Sequence, residues 1–203
     1  MFLNIFEIID IIVLTAVMGY LFMEPKIHAA GKDVLDRYLS NSKKYFDWNS
    51  FWFAASVSAP SVILHEFGHK LVGLSYGLTS VFHAACSSSF VGTGYFLNFA
   101  CILTLVAIVL KAIGFGFIFF VPAFVQTMGA TSSQSIWIAI AGPLVNLTLF
   151  FIAWIILKNM KLKNNAVRYW TLTKHINIFL FAFNMIPIFG SDGSKILNAI
   201  LAL

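Results

Sequence analysis

The stretch Ser61-Val62-Ile63-Leu64-His65-Glu66-Phe67-Gly68-His69-Lys70 decides how the rest of the chain is read. As a helix it sets His65 and His69 four residues apart, so both imidazoles leave one face toward a common point. That spacing suits two nitrogen ligands at about 2.0–2.1 Å from one zinc ion. Glu66, one residue round the helix, stands beside the ion's open position as a base for a water activated there. Apolar sequence enters the motif from Phe51 and leaves it through Leu74, which puts the site inside a membrane. A buried His-Glu-His set with no metal would leave three polar groups to satisfy in hydrocarbon, at roughly several kcal/mol each if unpaired. Ionisable groups at that depth are functional candidates by default, and the metal reading is favoured over a structural one.

Composition points the same way. Of 203 residues, 60% are hydrophobic and 10% charged, with mean hydropathy +0.88. Soluble globular chains carry about 25% charged residues. The fold class expected is an all-α polytopic membrane protein, with about five to six transmembrane helices and short strand-like or re-entrant segments near the active site. The net charge of +5 reads as Lys and Arg at span ends, with no sign of a nucleic-acid surface. Cys86 and Cys101 give neither a disulfide framework nor a Cys-x-x-Cys metal pattern, so inert thiols are expected. The first apolar segment is too long for a signal-peptide core and lacks a basic start, so no cleavable leader is expected.

Two regions divide the chain. Residues 1–50 read as a first transmembrane helix and a polar connector, and residues 51–203 as the core that carries the motif. Met1–Met23 is the first span; its Glu7 and Asp10 share a helical face, which either turns to a cavity or other helices or lies near the interface, the latter favoured. Within Glu24–Ser50, Lys32–Leu39 suits either a short amphipathic surface helix or a solvated connector, and His28 is a poor ligand candidate. Phe51–Leu74 is the second span, with Pro60 expected to kink it or open its hydrogen-bond ladder. Ser75–Gly94, rich in Ser and Gly, suggests irregular or β-like backbone near the site. Tyr95–Lys111 reads as a span, followed by a re-entrant or strand-like piece containing Gly114, Gly116 and Pro122. Gln126–Ser135 reads as a loop and Ile136–Leu157 as a span. Lys158–Arg168 is basic and interfacial, and Tyr169–Ile188 is the last long apolar segment, broken at Pro187 and Gly190. Glu24–Ser50 and Lys158–Lys174 carry five Lys or Arg each, so the positive-inside rule does not orient the chain.

A catalytic zinc with two histidines and a water needs one more protein ligand. Outside the motif, Glu7 and Glu24 both lie upstream, and the one downstream aspartate is Asp192. A lone carboxylate beside an apolar helix end needs a partner, and a zinc ion supplies one. The competing role is an N-cap for Gly193–Leu203, worth about 1 kcal/mol. His83 is the reserve ligand, and His175 is expected about a helix length away.

The chain resembles the site-2 protease family of intramembrane zinc metalloproteases. Three motifs carry the likeness: His65-Glu66-Phe67-Gly68-His69, Ala141-Gly142-Pro143-Leu144-Val145-Asn146, and Asn184-Met185-Ile186-Pro187 leading to Asp192-Gly193. It covers roughly Phe51–Leu203, as a minimal form with no PDZ domain. The resemblance implies a zinc ion held by His65, His69 and Asp192, with Glu66 as catalytic acid/base. It also implies that Asn184 lies near the active site, holding substrate backbone or the developing oxyanion. An interhelical hydrogen bond is the other role open to an Asn in a helix. Gly142 and Pro143 look like packing and helix-shaping positions. Ser191 and Ser194 stand where the family often has an apolar residue and a second glycine, which affects loop geometry more than chemistry.

The function expected is hydrolysis of peptide bonds in or next to transmembrane segments of membrane-protein substrates. The partners are then a transmembrane substrate and the lipid bilayer, in a multi-pass protein of a prokaryotic cell membrane. The alternative is a non-proteolytic membrane metal-binding scaffold or transporter, against which Glu66, not needed as a ligand, argues. A substrate helix would have to unwind, pairing with strand-like backbone near Ser75–Gly94 or Gly114–Pro122.

Overall fold

The computed structural model describes residues 3–24, 26–27, 44–86, 99–113, 123–188 and 190–203. Lys32–Leu39, His28 and the piece containing Gly114, Gly116 and Pro122 lie outside the described residues. The described residues form six helices: α1 Ile5–Phe22, α2 Trp48–Ser75, α3 Phe99–Ala112, α4 Ser132–Asn159, α5 Asn164–Met185 and α6 Asp192–Leu201. Four short strands form two antiparallel pairs: β1 Lys26–Ile27 with β2 Lys44–Tyr45, and β3 Thr79–Ala84 with β4 Ala123–Met128.

The motif helix α2 is the hub. It packs against α1 and the β3–β4 pair on one side and α4 on the other, and α4 in turn carries α5 and α6. At 28 residues it runs about 42 Å, longer than the ~30 Å hydrocarbon core of a bilayer. Pro60 sits inside it without ending it. Having no N–H, Pro60 cannot reach the carbonyl of Ser56 one turn back; Tyr169 of α5 donates to that oxygen instead, at 3.1 Å. The opened ladder is thus closed by a neighbour. Leu14 and Met18 of α1, Ala59 and Val62 of α2, Phe82 of β3 and Leu180 of α5 form the main apolar cluster.

The molecule is polar within and apolar without. Glu7, Asp10, His65, Glu66, His69, Lys70, Asn146 and Asn177 are buried, while Ile5, Ile8, Ile9 and Ile12 of α1, Trp52 of α2 and Phe151 and Ile155 of α4 are exposed. Among the described residues, α1 and α4 are long and apolar enough to cross a membrane. The four ionisable groups of His65–Lys70 lower the hydropathy of α2.

Several expectations change. Glu7 and Asp10 are buried against other elements: the carboxylate of Glu7 accepts from the ammonium of Lys70 and from the N–H of Phe82, and Asp10 lies 4.0 Å from His83. Gln126–Ser135 is not all loop, because β4 runs to Met128 and α4 begins at Ser132. Thr131 and Gln134 exchange side-chain-to-backbone hydrogen bonds in a capping box that starts the helix four residues before its apolar run. Within Tyr95–Lys111 the described residues are helical from Phe99, and the helix runs on to Ala112. Helix α5 starts at Asn164, so Arg168 is helical. Cys86 and Cys101 are not free thiols; they form a disulfide joining the end of β3 to the first turn of α3.

Candidate metal centre

Three side chains from two distant parts of the chain meet in the interior. His65 Nε2, His69 Nε2 and Asp192 Oδ2 form a triangle with every edge 3.1 Å. Tetrahedral ligands at about 2.0–2.1 Å from one zinc would stand about 3.3–3.4 Å apart, close to these separations. Chemistry narrows the occupant further. His69 Nδ1 lies 2.6 Å from the carbonyl oxygen of Ile138, which can only accept, so Nδ1 carries the proton and Nε2 the lone pair. His65 Nδ1 donates likewise to Asn146 Oδ1 at 2.5 Å. With both rings neutral, three lone-pair atoms converge in a buried space, an arrangement that calls for a cation between them. The donor set of two imidazoles and one carboxylate is one that zinc takes with an open fourth position.

Local structure explains how the set is assembled. His65 and His69 share one face of α2 by their spacing. Asp192 is brought in by the chain break after α5. Ile186 ends that helix, Gly190 takes a left-handed φ of 88°, and Ser191 caps α6 by accepting from the N–H of Ser194. The capping role is therefore held by Ser191, which leaves the Asp192 side chain free to face the histidines. Asp192 Oδ1, the oxygen away from the triangle, accepts from Lys195 Nζ at 3.0 Å. At Gly142, an added Cβ would fall 2.4 Å from His69 Nε2 and 2.8 Å from His65 Cε1. Both rings rest on this bare position of α4.

Glu66 lies beside the triangle, is 5% exposed, and makes no hydrogen bond or ion pair with any described residue. A buried carboxylate without a partner is costly and calls for a cation, a proton or a polar ligand next to it. A cavity of about 650 Å³ reaches the site, lined by His69, Lys195 and Asn198 and walled by Phe124–Thr127 of β4.

The remaining candidates make other contacts. Asn184 donates to Leu180 O, one turn back in its own helix, and is not joined to the cluster by a hydrogen bond. His83 faces Asp10, and His175 is exposed. Three residues around the ligands were not singled out from the sequence as parts of the site: Asn146, Asn177 and Lys195. A signal existed for Lys195, which follows Asp192 at the spacing of a helical ion pair. Asn146 closes the second of the three motifs, whereas for Asn177 the signal was only its presence in an apolar helix.

Comparison with known proteins gives one relative. The chain is 34% identical over 140 residues to a protein of Methanocaldococcus jannaschii named "Putative zinc metalloprotease". The match covers 67% of this chain and 64% of the relative, so the chain spans just under two thirds of that protein's length. No family model matches the sequence, and no solved structure matches it.

Proposed function

We propose that this chain is a multi-pass membrane zinc metalloprotease of the site-2 type, hydrolysing peptide bonds in or beside transmembrane segments of its substrates. The observation that carries the reading is the buried carboxylate of Glu66, without a hydrogen bond or ion pair among the described residues, next to the convergent atoms of His65, His69 and Asp192. A scaffold that only bound metal would have no use for a buried carboxylate that is neither in the ligand triangle nor hydrogen-bonded among the described residues.

His65, His69 and Asp192 would hold the zinc. Bound there, zinc supplies Lewis-acid polarisation of the scissile carbonyl and acidifies water. Glu66 takes a proton from the water as its oxygen bonds to the carbonyl carbon. It returns that proton to the amine nitrogen as the C–N bond breaks. Lys195 holds Asp192 by its outer oxygen, so the carboxylate offers one atom to the centre. No step is assigned to Asn184.

The membrane setting is supported by the inverted polarity of the molecule and by the two long apolar helices. Ionisable groups gathered inward, with Ile and Trp outward, suit lipid and not water. Helix α2 reaches across a bilayer by length, and α5, at 22 residues, does too. The extended substrate would pair with β4, which among the described residues has β3 on one edge only and lines the cavity to His69.

The test is zinc per purified chain, together with cleavage of synthetic transmembrane peptides in liposomes. About one zinc in wild type and Glu66→Gln, with little in His65→Ala and Asp192→Ala, is expected. Cleavage should fall by about three orders of magnitude or more in Glu66→Gln, as removal of a general base and its electrostatics would give. A folded, metal-replete wild type without zinc would sink the reading. Undiminished cleavage by Glu66→Gln would remove Glu66 from the chemistry.

A further inference from the structure

We infer that Asn146 and Asn177 are positioning residues for the metal centre, forming a buried relay that fixes the tautomer and ring plane of His65. The inference rests on the zinc reading above. Both asparagines are 0% exposed, and they lie on different helices, α4 and α5.

The relay has one direction. Asn146 Nδ2 donates to Ser61 O at 3.0 Å and to Asn177 Oδ1 at 2.8 Å. A carbonyl cannot donate, so the amide nitrogen must face Ser61, which leaves Oδ1 of Asn146 to accept from His65 Nδ1. Asn177 is oriented by the same logic. Its Nδ2 donates to Thr173 O at 2.8 Å and to Ser61 Oγ at 2.9 Å. The Ser61 hydroxyl passes its own proton to Val57 O at 3.1 Å. Backbone carbonyls therefore fix both amides, and the two amides fix which imidazole nitrogen of His65 keeps a lone pair.

The two histidines are held differently. His69 is set by one backbone carbonyl, whereas His65 depends on side chains from α2, α4 and α5. Outer partners of this kind orient a ligating histidine and raise its basicity, and their loss costs roughly 10–100-fold in metal affinity. Asn177 makes no hydrogen bond to His65, His69 or Asp192 among the described residues and belongs to none of the three motifs, so its effect is expected through Asn146, which donates to it.

Zinc affinity of the purified full chain, read by competition against a chromophoric chelator, tests this alongside thermal unfolding of the zinc-free protein. Asn146→Leu should bind zinc roughly 10–100-fold more weakly. Asn177→Leu should weaken it in the same direction, and the double variant should be no weaker than Asn146→Leu. A packing role would instead lower the zinc-free unfolding temperature and add in the double variant. If the leucine variants do not fold, Asn146→Ser and Asn177→Ser carry the same comparison. Zinc binding unchanged in the Asn146 variant, or additive losses, would overturn the relay. Absence of zinc in wild type would be a failure of the proposed function itself.

Discussion

The ammonium of Lys70, one residue past His69, donates to the carboxylate of Glu7, and both groups are buried between α1 and α2. Glu7 also accepts from Phe82 N–H at 2.8 Å and from Asn4 N–H at 2.9 Å. One carboxylate thereby ties the first helix, the motif helix and the β3–β4 pair together, so the strand wall of the cavity is held in register with the ligands. Removing one partner of a buried ion pair costs about 3–5 kcal/mol. Glu7→Ala and Lys70→Met should each lower stability by that order in denaturant titrations in detergent. The two groups share one interaction, so the double variant should lose less than the sum of the singles. Additive losses would mean that the pair is not coupled.

Ser191 and Asp192 are neighbours with separate duties. Ser191 caps α6, so Ser191→Ala should cost about 1 kcal/mol of stability and leave zinc binding in place. Asp192→Ala should do the reverse, emptying the site with the helix still capped. Zinc content and unfolding midpoints, measured on the same samples, separate them. A loss of zinc in Ser191→Ala equal to that in Asp192→Ala would contradict the division.

The meeting of His65, His69 and Asp192 was legible because it rests on local spacing and scarcity. His65 and His69 meet by helical period, and Asp192 is the one aspartate after the motif. What is tertiary was not legible. Glu7 belongs to a capping box with Asn4, a local pattern that marks the start of α1, but nothing local says its carboxylate then turns inward to Lys70. The disulfide depends on Cys86 and Cys101 lying 4.7 Å apart between Cα atoms, a distance the fold sets. Helix α4 began earlier than its apolar run because its first turn is polar and Thr131 caps it. Hydropathy alone cannot see such a turn.

Gly142 offers a test of the centre that alters no ligand. Its missing side chain leaves room for both imidazoles, and a methyl there would sit 2.4 Å from His69 Nε2. Gly142→Ala should displace a ring and reduce zinc occupancy sharply, with Gly142→Val worse. Unfolding of the zinc-free variants should change less than zinc affinity does. Full occupancy in Gly142→Val would show that the rings have room to move.

The bond between Cys86 and Cys101 closes a loop with a sequence separation of 15. A loop of that size is worth about 3 kcal/mol in the chain-entropy account of cross-links. Cys86→Ser and Cys101→Ser should each destabilise by up to that amount, and the double variant by no more than either. Mass shift on alkylation with and without reductant checks the bond directly; two alkylated thiols before reduction would refute it.

The pairing register of β3 and β4 identifies the backbone groups a substrate would meet. Phe82 stands opposite Val125, and its N–H points away from β4, to Glu7. In an antiparallel pair, facing residues direct their backbone groups alike, so this is a non-hydrogen-bonded pair, and Val125 turns its N–H and C=O to the outer edge. Val125 also lines the cavity that reaches His69. Val125→Pro removes that one outward donor, and edge strands tolerate proline where the N–H faces outward. The variant should therefore keep its fold and its zinc but lose cleavage of transmembrane peptides. Phe124 faces His83 in the alternating position, so Phe124→Pro should break the ladder itself and lower stability. Cleavage by Val125→Pro at the wild-type rate would mean that substrate is not held along β4.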